Sequence, residues 1–247
     1  MTAELKVFDQ TIPSEALLPL LAKYRMLPQF LREIVIDQAI AGVEVTPEEK
    51  ELAYQGFCRQ QQLDSPDKQG AWLAQQGMTI EQLEQLILRD LQLEKFKQET
   101  WGPQLESYFL QRKSQLDRVV YSLIRTQNIG IAQELFFRIQ EGEQSFAELA
   151  QQYSQGPEAQ TGGLVGPAEL HTLHPSLSQL LMVSKPGQLW PPCQVGDWIV
   201  VVRLEKLLPT QLDDPMRQRL LNECFTDWIQ QKVQQVIAEM APTSSIA

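Results

Sequence analysis

The chain has 247 residues and a formal net charge of −10, with 43% hydrophobic and 21% charged residues. That is an ordinary globular composition, sufficient for one large domain or two modest ones. The acidic balance argues against nucleic acid as the main partner and against an anionic membrane surface, because phosphate binding needs clustered Lys and Arg.

No run approaches the about 18 consecutive apolar residues of a transmembrane helix. Met1–Pro13 has no basic start followed by an apolar stretch, so no secretory signal is visible. Cys58, Cys193 and Cys224 are few, odd in number and widely spaced, which does not suggest a disulfide framework. The expectation is a reducing compartment, with the cytosol as the simplest case.

The front half reads as successive helices. Ser14 precedes Glu15-Ala16-Leu17, and Leu17, Leu18 and Leu21 form an apolar stripe. Pro28 suits the first turn of a second helix, with Leu31, Ile34, Val35 and Ala39 on one face. Thr46-Pro47-Glu48-Glu49 is a capping box, in which side chains satisfy the unpaired N–H groups of a helix start. Ser65-Pro66-Asp67 opens a helix similarly, and Thr79 with Gln82 opens a long one through about Trp101. Gly102-Pro103 interrupts it, and a last front-half helix is expected at 104–113.

The pattern changes after Asp117. Arg118–Arg125 is β-branched and aromatic and predicts a strand. Ala132, Leu135, Phe136 and Ile139 stand at helical spacing, and Ser145-Phe146-Ala147-Glu148 is another capping box. A Gly-rich loop at 156–166 follows, then a Pro175-led short helix and a Pro186-Gly187 type II turn. Two strands close the region, near 189–194 and 197–205, with Trp198, Val200, Val202 and Leu204 on one face. Asp214-Pro215 starts a long helix whose stripe (Met216, Leu220, Phe225, Trp228, Val233, Val236, Met240) needs a partner surface. The front helices are the nearest candidate, and the tail 241–247 is expected to fray.

Isolated chemical motifs are weak. His171 and His174 have no further Cys or His at ligand spacing, so they read as surface or structural residues, with no metal and no cofactor expected. Gly162-Gly163-Leu164-Val165-Gly166 lacks the Lys-Ser/Thr of a phosphate loop, and its glycines read as backbone turns. No Ser or Cys has an identifiable His partner.

The order of the whole region is more specific. Phe146-Ala147-Glu148-Leu149-Ala150, then Tyr153-Ser154 and Gly162-Gly163-x-x-Gly166, resembles the parvulin-type peptidyl-prolyl isomerases. So do Pro186-Gly187-Gln188-Leu189-Trp190-x-Pro192 and Gly196-x-x-Ile199-Val200. The front helices with a returning C-terminal helix are similar in organisation to SurA-like chaperones. The resemblance implies an α+β chain: a helical N-terminal domain (1–117) completed by a C-terminal helix (212–241), with a parvulin-like module (118–208) between them. It also implies a shallow groove that holds a proline ring.

Placed residue by residue, the resemblance puts Ser122 at the family's first-strand histidine and Trp198 at its last-strand histidine. Gly156 stands for a Cys or Asp, Val195 for a small hydroxyl residue, and Leu173 and Leu177 for the Met and Phe of the proline pocket. The implied site is therefore Ser122 as the polar residue and Leu173, Leu177 and Trp198 as the substrate-binding surface. Three readings remain open: a slow prolyl isomerase acting on unfolded or proline-containing polypeptide; a non-catalytic polypeptide-binding chaperone or targeting factor using the same groove; and an interaction scaffold whose groove Trp198 fills.

Overall fold

The computed structural model describes residues 4–7 and 10–240, with side chains from residue 12 onward. The tail 241–247 therefore lies outside the described residues. In chain order the elements begin with a hairpin, β1 (Glu4–Val7) and β2 (Gln10–Pro13). Five helices follow: α1 (Ser14–Lys23), α2 (Leu27–Ile40), α3 (Pro47–Gln60), α4 (Pro66–Gln76) and α5 (Ile80–Trp101). A 3₁₀ turn at Gly102–Gln104 leads to α6 (Leu105–Leu116).

Next come β3 (Arg118–Thr126), α7 (Ile129–Gln140), α8 (Phe146–Tyr153), β4 (Leu164–Glu169) and α9 (Pro175–Met182). Strands β5 (Leu189–Val195) and β6 (Trp198–Leu208) and the long helix α10 (Asp214–Met240) complete the chain. These elements form two compact units, one from Met1–Leu105 with Arg217–Ala247 and one from Glu106–Met216.

The helical unit starts where the caps place it. Thr46 and Thr79 both form reciprocal capping boxes, with Glu49 and Gln82. Its core joins Leu31, Ile36 and Ile40 of α2 to Phe225, Ile229 and Val233 of α10, so the C-terminal helix completes the helical domain. The α2 face differs from the expected one, because Ile34 is 37% exposed while Ile36 and Ile40 are buried. The inward stripe follows i, i+4 from Ile36, turned away from Ile34.

Phe96, Trp101, Phe225 and Trp228 form an aromatic cluster with ring centroids 5.4–6.2 Å apart. The buried Lys97 ammonium lies 5.0 Å from the Phe225 ring, bonded to Glu94 at 2.6 Å and Asn222 at 2.8 Å. No helix among the described residues is long and apolar enough to cross a membrane.

The second unit is built on an antiparallel sheet in the order β4-β3-β6-β5. One face packs against α9 through Val119, Tyr121, Leu123, Leu170, Leu177, Leu181, Val200, Val202 and Leu204. The other packs against α7 and α8 through Ile124, Val201, Ala132, Leu135, Phe146, Leu149 and Ala150. Strand β4 occupies part of the stretch that reads as a loop from sequence. Its glycines hide it: Gly162, Gly163 and Gly166 all have positive φ, and the segment is an edge strand paired to β3 across an irregularity at Val119/Tyr121. Asp117 ties the unit's entry to its exit, because its carboxylate accepts from the Thr210 N–H at 2.7 Å while the Thr210 hydroxyl donates to the Leu116 carbonyl at 2.6 Å.

Truncating Phe225→Ala should remove the ring that meets Trp101, Trp228 and Lys97. We expect the helical unit to lose about 3–5 kcal/mol in denaturant unfolding at unchanged m. A loss below about 1 kcal/mol would mean that this ring is not a packed element of the core.

Candidate active site

Side chains alternate along a strand, so each position on β3 and β6 is committed to one face. Trp198 starts β6 on the α9 face and packs against the cluster containing Val200, Val202 and Leu204. Leu177 is buried in that cluster, and Leu173 packs against it. These three side chains therefore meet at one apolar surface. Leu173, Trp198 and the neighbouring Cys193 and Val195 are only half-buried, so this edge of the cluster is open to solvent.

Ser122 does not join them. Its neighbours Tyr121 and Leu123 belong to the α9 face, which turns Ser122 to the α7/α8 face. There its hydroxyl donates to Glu205 Oε1 at 2.5 Å, and the same oxygen accepts from Arg203 Nε at 2.8 Å. The Arg203 guanidinium lies 5.2 Å from the ring of Phe146, a residue of the α7/α8 core. Ser122 is thus a buried, satisfied side chain on the far side of the sheet from Leu177. The residue of β3 that shares the face of Trp198 is Tyr121, one position earlier.

Four positions further along β3 on that same face stands Arg125, opposite Val200. Its side chain meets Glu158, which lies in the 3₁₀ turn Pro157–Thr161 and is 2% exposed at the side chain. Arg125 Nε donates to Glu158 Oε1 at 2.8 Å, and the Ser154 hydroxyl donates to the same oxygen at 2.5 Å. Ser154 Oγ also accepts from the Arg125 backbone N–H at 3.0 Å, and the Gln155 N–H donates to the Arg125 carbonyl at 2.9 Å. Three of these contacts pin the loop to the strand, and the Ser154–Glu158 bond braces the loop itself.

Glu158 Oε2 lies 2.8 Å from Arg125 Nη2 but outside hydrogen-bonding geometry. It is the only fully buried side-chain oxygen or nitrogen among the described residues without a hydrogen bond. Burial holds the Tyr121 phenol above its ordinary range, while nearby Arg125 lowers it and Glu158 raises it.

Gly156 explains itself in this setting. Its φ of −113° is open to any residue, yet a Cβ there would fall inside van der Waals contact of both Glu158 carboxylate oxygens and of Arg125 Nε. The space that a side chain at 156 would fill is already taken by the Glu158 carboxylate. In the sequence alone, Gly156 shows only a missing side chain. The available signal was Gly156-Pro157-Glu158, a glycine two residues ahead of an acid that the tight turn folds back over it.

His171 and His174 are both at the surface side of the unit: His171 Nδ1 stands 3.2 Å from Glu169, and His174 Nδ1 accepts from the Ser176 N–H at 3.3 Å. Among the described residues no group of three His, Cys, Asp or Glu side chains is placed to hold a metal ion.

The chain shares its fold with solved peptidylprolyl isomerase structures. It is similar to peptidylprolyl isomerase PrsA from Bacillus cereus (TM-score 0.52, 18% identity, covering 98% of this chain and 93% of that one), which establishes a common fold. It is also similar to PrsA from Bacillus anthracis (TM-score 0.48, 17% identity, 85% and 97% covered) and to the parvulin domain of PpiD from E. coli (TM-score 0.35, 26% identity, 40% and 97% covered). No curated protein sequence matches the chain. Residues 123–206 match the Rotamase family, the PPIC-type PPIASE domain. The sheet module is therefore a parvulin-type peptidyl-prolyl isomerase domain.

Gly156→Ala should cost about 1–3 kcal/mol, because the methyl must displace a buried ion pair. In Gly156→Ala/Glu158→Ala the carboxylate is gone and only the Arg125 side chain, freed of its partner, has to shift, so the double variant should be more stable than the sum of the single losses by about 1 kcal/mol or more. Strict additivity in thermal or denaturant unfolding would show that Glu158 does not fill the space at 156.

Proposed function

We propose that this chain is a foldase that binds unfolded or proline-containing polypeptide in the groove edged by Leu173, Leu177 and Trp198, and speeds prolyl cis–trans isomerisation at modest turnover. The observation that carries this reading is the convergence of those three side chains on one half-open apolar surface inside a prolyl isomerase domain. Rotation about the amide costs about 18–20 kcal/mol because it breaks C–N double-bond character. An apolar groove excludes water and grips the ring. Catalysis needs interactions stronger in the twisted state than in the planar one, since uniform binding leaves kcat unchanged. Trp198 supplies no imidazole, and Ser122 faces away, which is why turnover is expected to be modest.

A second reading, a polypeptide-binding chaperone that does not depend on catalysis, is favoured by the helical unit. A groove of about 560 Å³ runs between α2 and α10, lined by Pro28, Ile229, Val233 and Ile237 among others. Nearby sequence segments expose Leu18 (51%), Met26 (50%) and Phe30 (44%). Apolar surface of this kind marks a contact site for other polypeptide.

The purified chain should accelerate isomerisation of a short prolyl peptide in a protease-free assay and bind that peptide in a titration. Leu173→Ala and Trp198→Ala should each weaken binding roughly ten- to a hundredfold, given about 1.5–3 kcal/mol for burying such a side chain. Ser122→Ala should leave binding unchanged. Equal losses for all three variants would sink the groove, and binding without acceleration would favour the chaperone reading.

A further inference from the structure

The polar groups on the α9 face are unlike those on the other face of the sheet. Ser122, Arg203 and Glu205 satisfy one another around Glu205 Oε1. Tyr121 does not share that closure: its ring is 4% exposed, and its hydroxyl has no hydrogen-bond partner among the described residues. The only fully buried side-chain polar atom lacking a hydrogen bond among those residues is Glu158 Oε2, so the Tyr121 oxygen is reached by solvent. A buried ring with an open, unpartnered hydroxyl is a donor held ready, because the ring cannot turn away and no protein acceptor competes for the proton.

What surrounds the ring fixes its use. On one side lie Leu177 and the half-buried Leu173 and Trp198. Four residues along the same strand face stands Arg125, 29% exposed and paired with Glu158, which Ser154 clamps; both charges act on the phenol. A prolyl peptide seated on the apolar edge would bring its amide toward the hydroxyl.

In the planar amide the nitrogen lone pair is delocalised into the carbonyl and accepts no hydrogen bond. As the bond twists, the lone pair returns to nitrogen and becomes an acceptor. A donor at that point acts on the twisted state alone and so raises kcat.

We propose that Tyr121 is the catalytic hydrogen-bond donor of this domain, and that the Arg125–Glu158 pair, its carboxylate filling the space of a side chain at 156, positions it. The proposal rests on the isomerase reading above. No bond is made or broken to the protein, and the proton remains on the phenol throughout. Glu158 acts through Tyr121: its buried carboxylate, paired with Arg125 on the strand that carries the ring, sets the local field at the phenol, and Gly156 is the residue that leaves it room.

The test is a double-mutant cycle on the full chain, with kcat and peptide affinity measured separately in the protease-free assay. Tyr121→Phe removes an oxygen that bonds to no described residue, so it should keep its melting temperature and its peptide affinity. It should lose roughly tenfold in kcat, the worth of one hydrogen bond made only in the transition state. Glu158→Gln should also lower kcat in the wild-type background and have no further effect in Tyr121→Phe, as expected of a residue acting through the phenol. Arg125→Lys, which keeps the charge, should recover part of the rate that Arg125→Ala loses.

An active wild type with an unchanged Tyr121→Phe overturns this inference and leaves the isomerase reading standing. Independent, multiplying losses from Tyr121→Phe and Glu158→Gln overturn the positioning role. A wild type that binds peptide but shows no acceleration overturns both.

Discussion

Pairing of β3 with β6 runs from Arg118↔Leu208 to Thr126↔Ile199, and it decides which side chains share a face. Because a strand has a side-chain period of two, a shift of one residue moves every side chain to the opposite side. The pairing has one irregularity, at Val120/Tyr121, where Glu205 of β6 is left over between Leu204 and Lys206. Beyond it the register holds Tyr121, Leu123 and Arg125 together with Val200, Val202 and Leu204 on the α9 face. The apolar edge, the phenol and the charge pair follow from that alignment. So does the separate polar closure of Ser122, Arg203 and Glu205 on the other side.

The carboxylate of Glu158 is the second constraint. Taking an ion pair out of water is costly, and a pair this buried persists only where its remaining lone pairs are met by good geometry. Here the Ser154 hydroxyl, Arg125 Nε and the backbone bonds at Arg125 hold the turn against the strand. The loop from Ser154 to Gly163 is therefore anchored structure on a rigid strand. A site on such a loop can be held close to one geometry, which catalysis by positioning requires.

Much of the helical part was legible in the sequence because it rests on local chemistry. The Thr46, Thr79 and Ser145 boxes each depend on two side chains three residues apart, and all three form. The long apolar stripe of α10 announced a buried partner for the same reason, and Phe225, Ile229 and Val233 found it on α2. The site was less legible. Ser122 and Tyr121 differ by one position, and nothing in Arg118–Arg125 itself shows where the bulge falls. Strand β4 was hidden by glycines that serve an edge. Glu158 was missed because its role is to occupy the space of a different residue, which only the folded turn reveals. The face of Trp198 was readable because β6 alternates without interruption from Trp198 to Leu204, the bulge falling only beyond it.

The proposed function has polypeptide held on the α9 face of the sheet. Titrating an isotopically labelled chain with a short prolyl peptide and following amide and indole resonances tests it most directly. The shifts should concentrate at Tyr121, Leu173, Leu177 and the Trp198 indole, with Ser122, Arg203 and the residues of α7 unmoved. Shifts confined to Ser122, Arg203, Glu205 and α7 would place the client on the opposite face and contradict it.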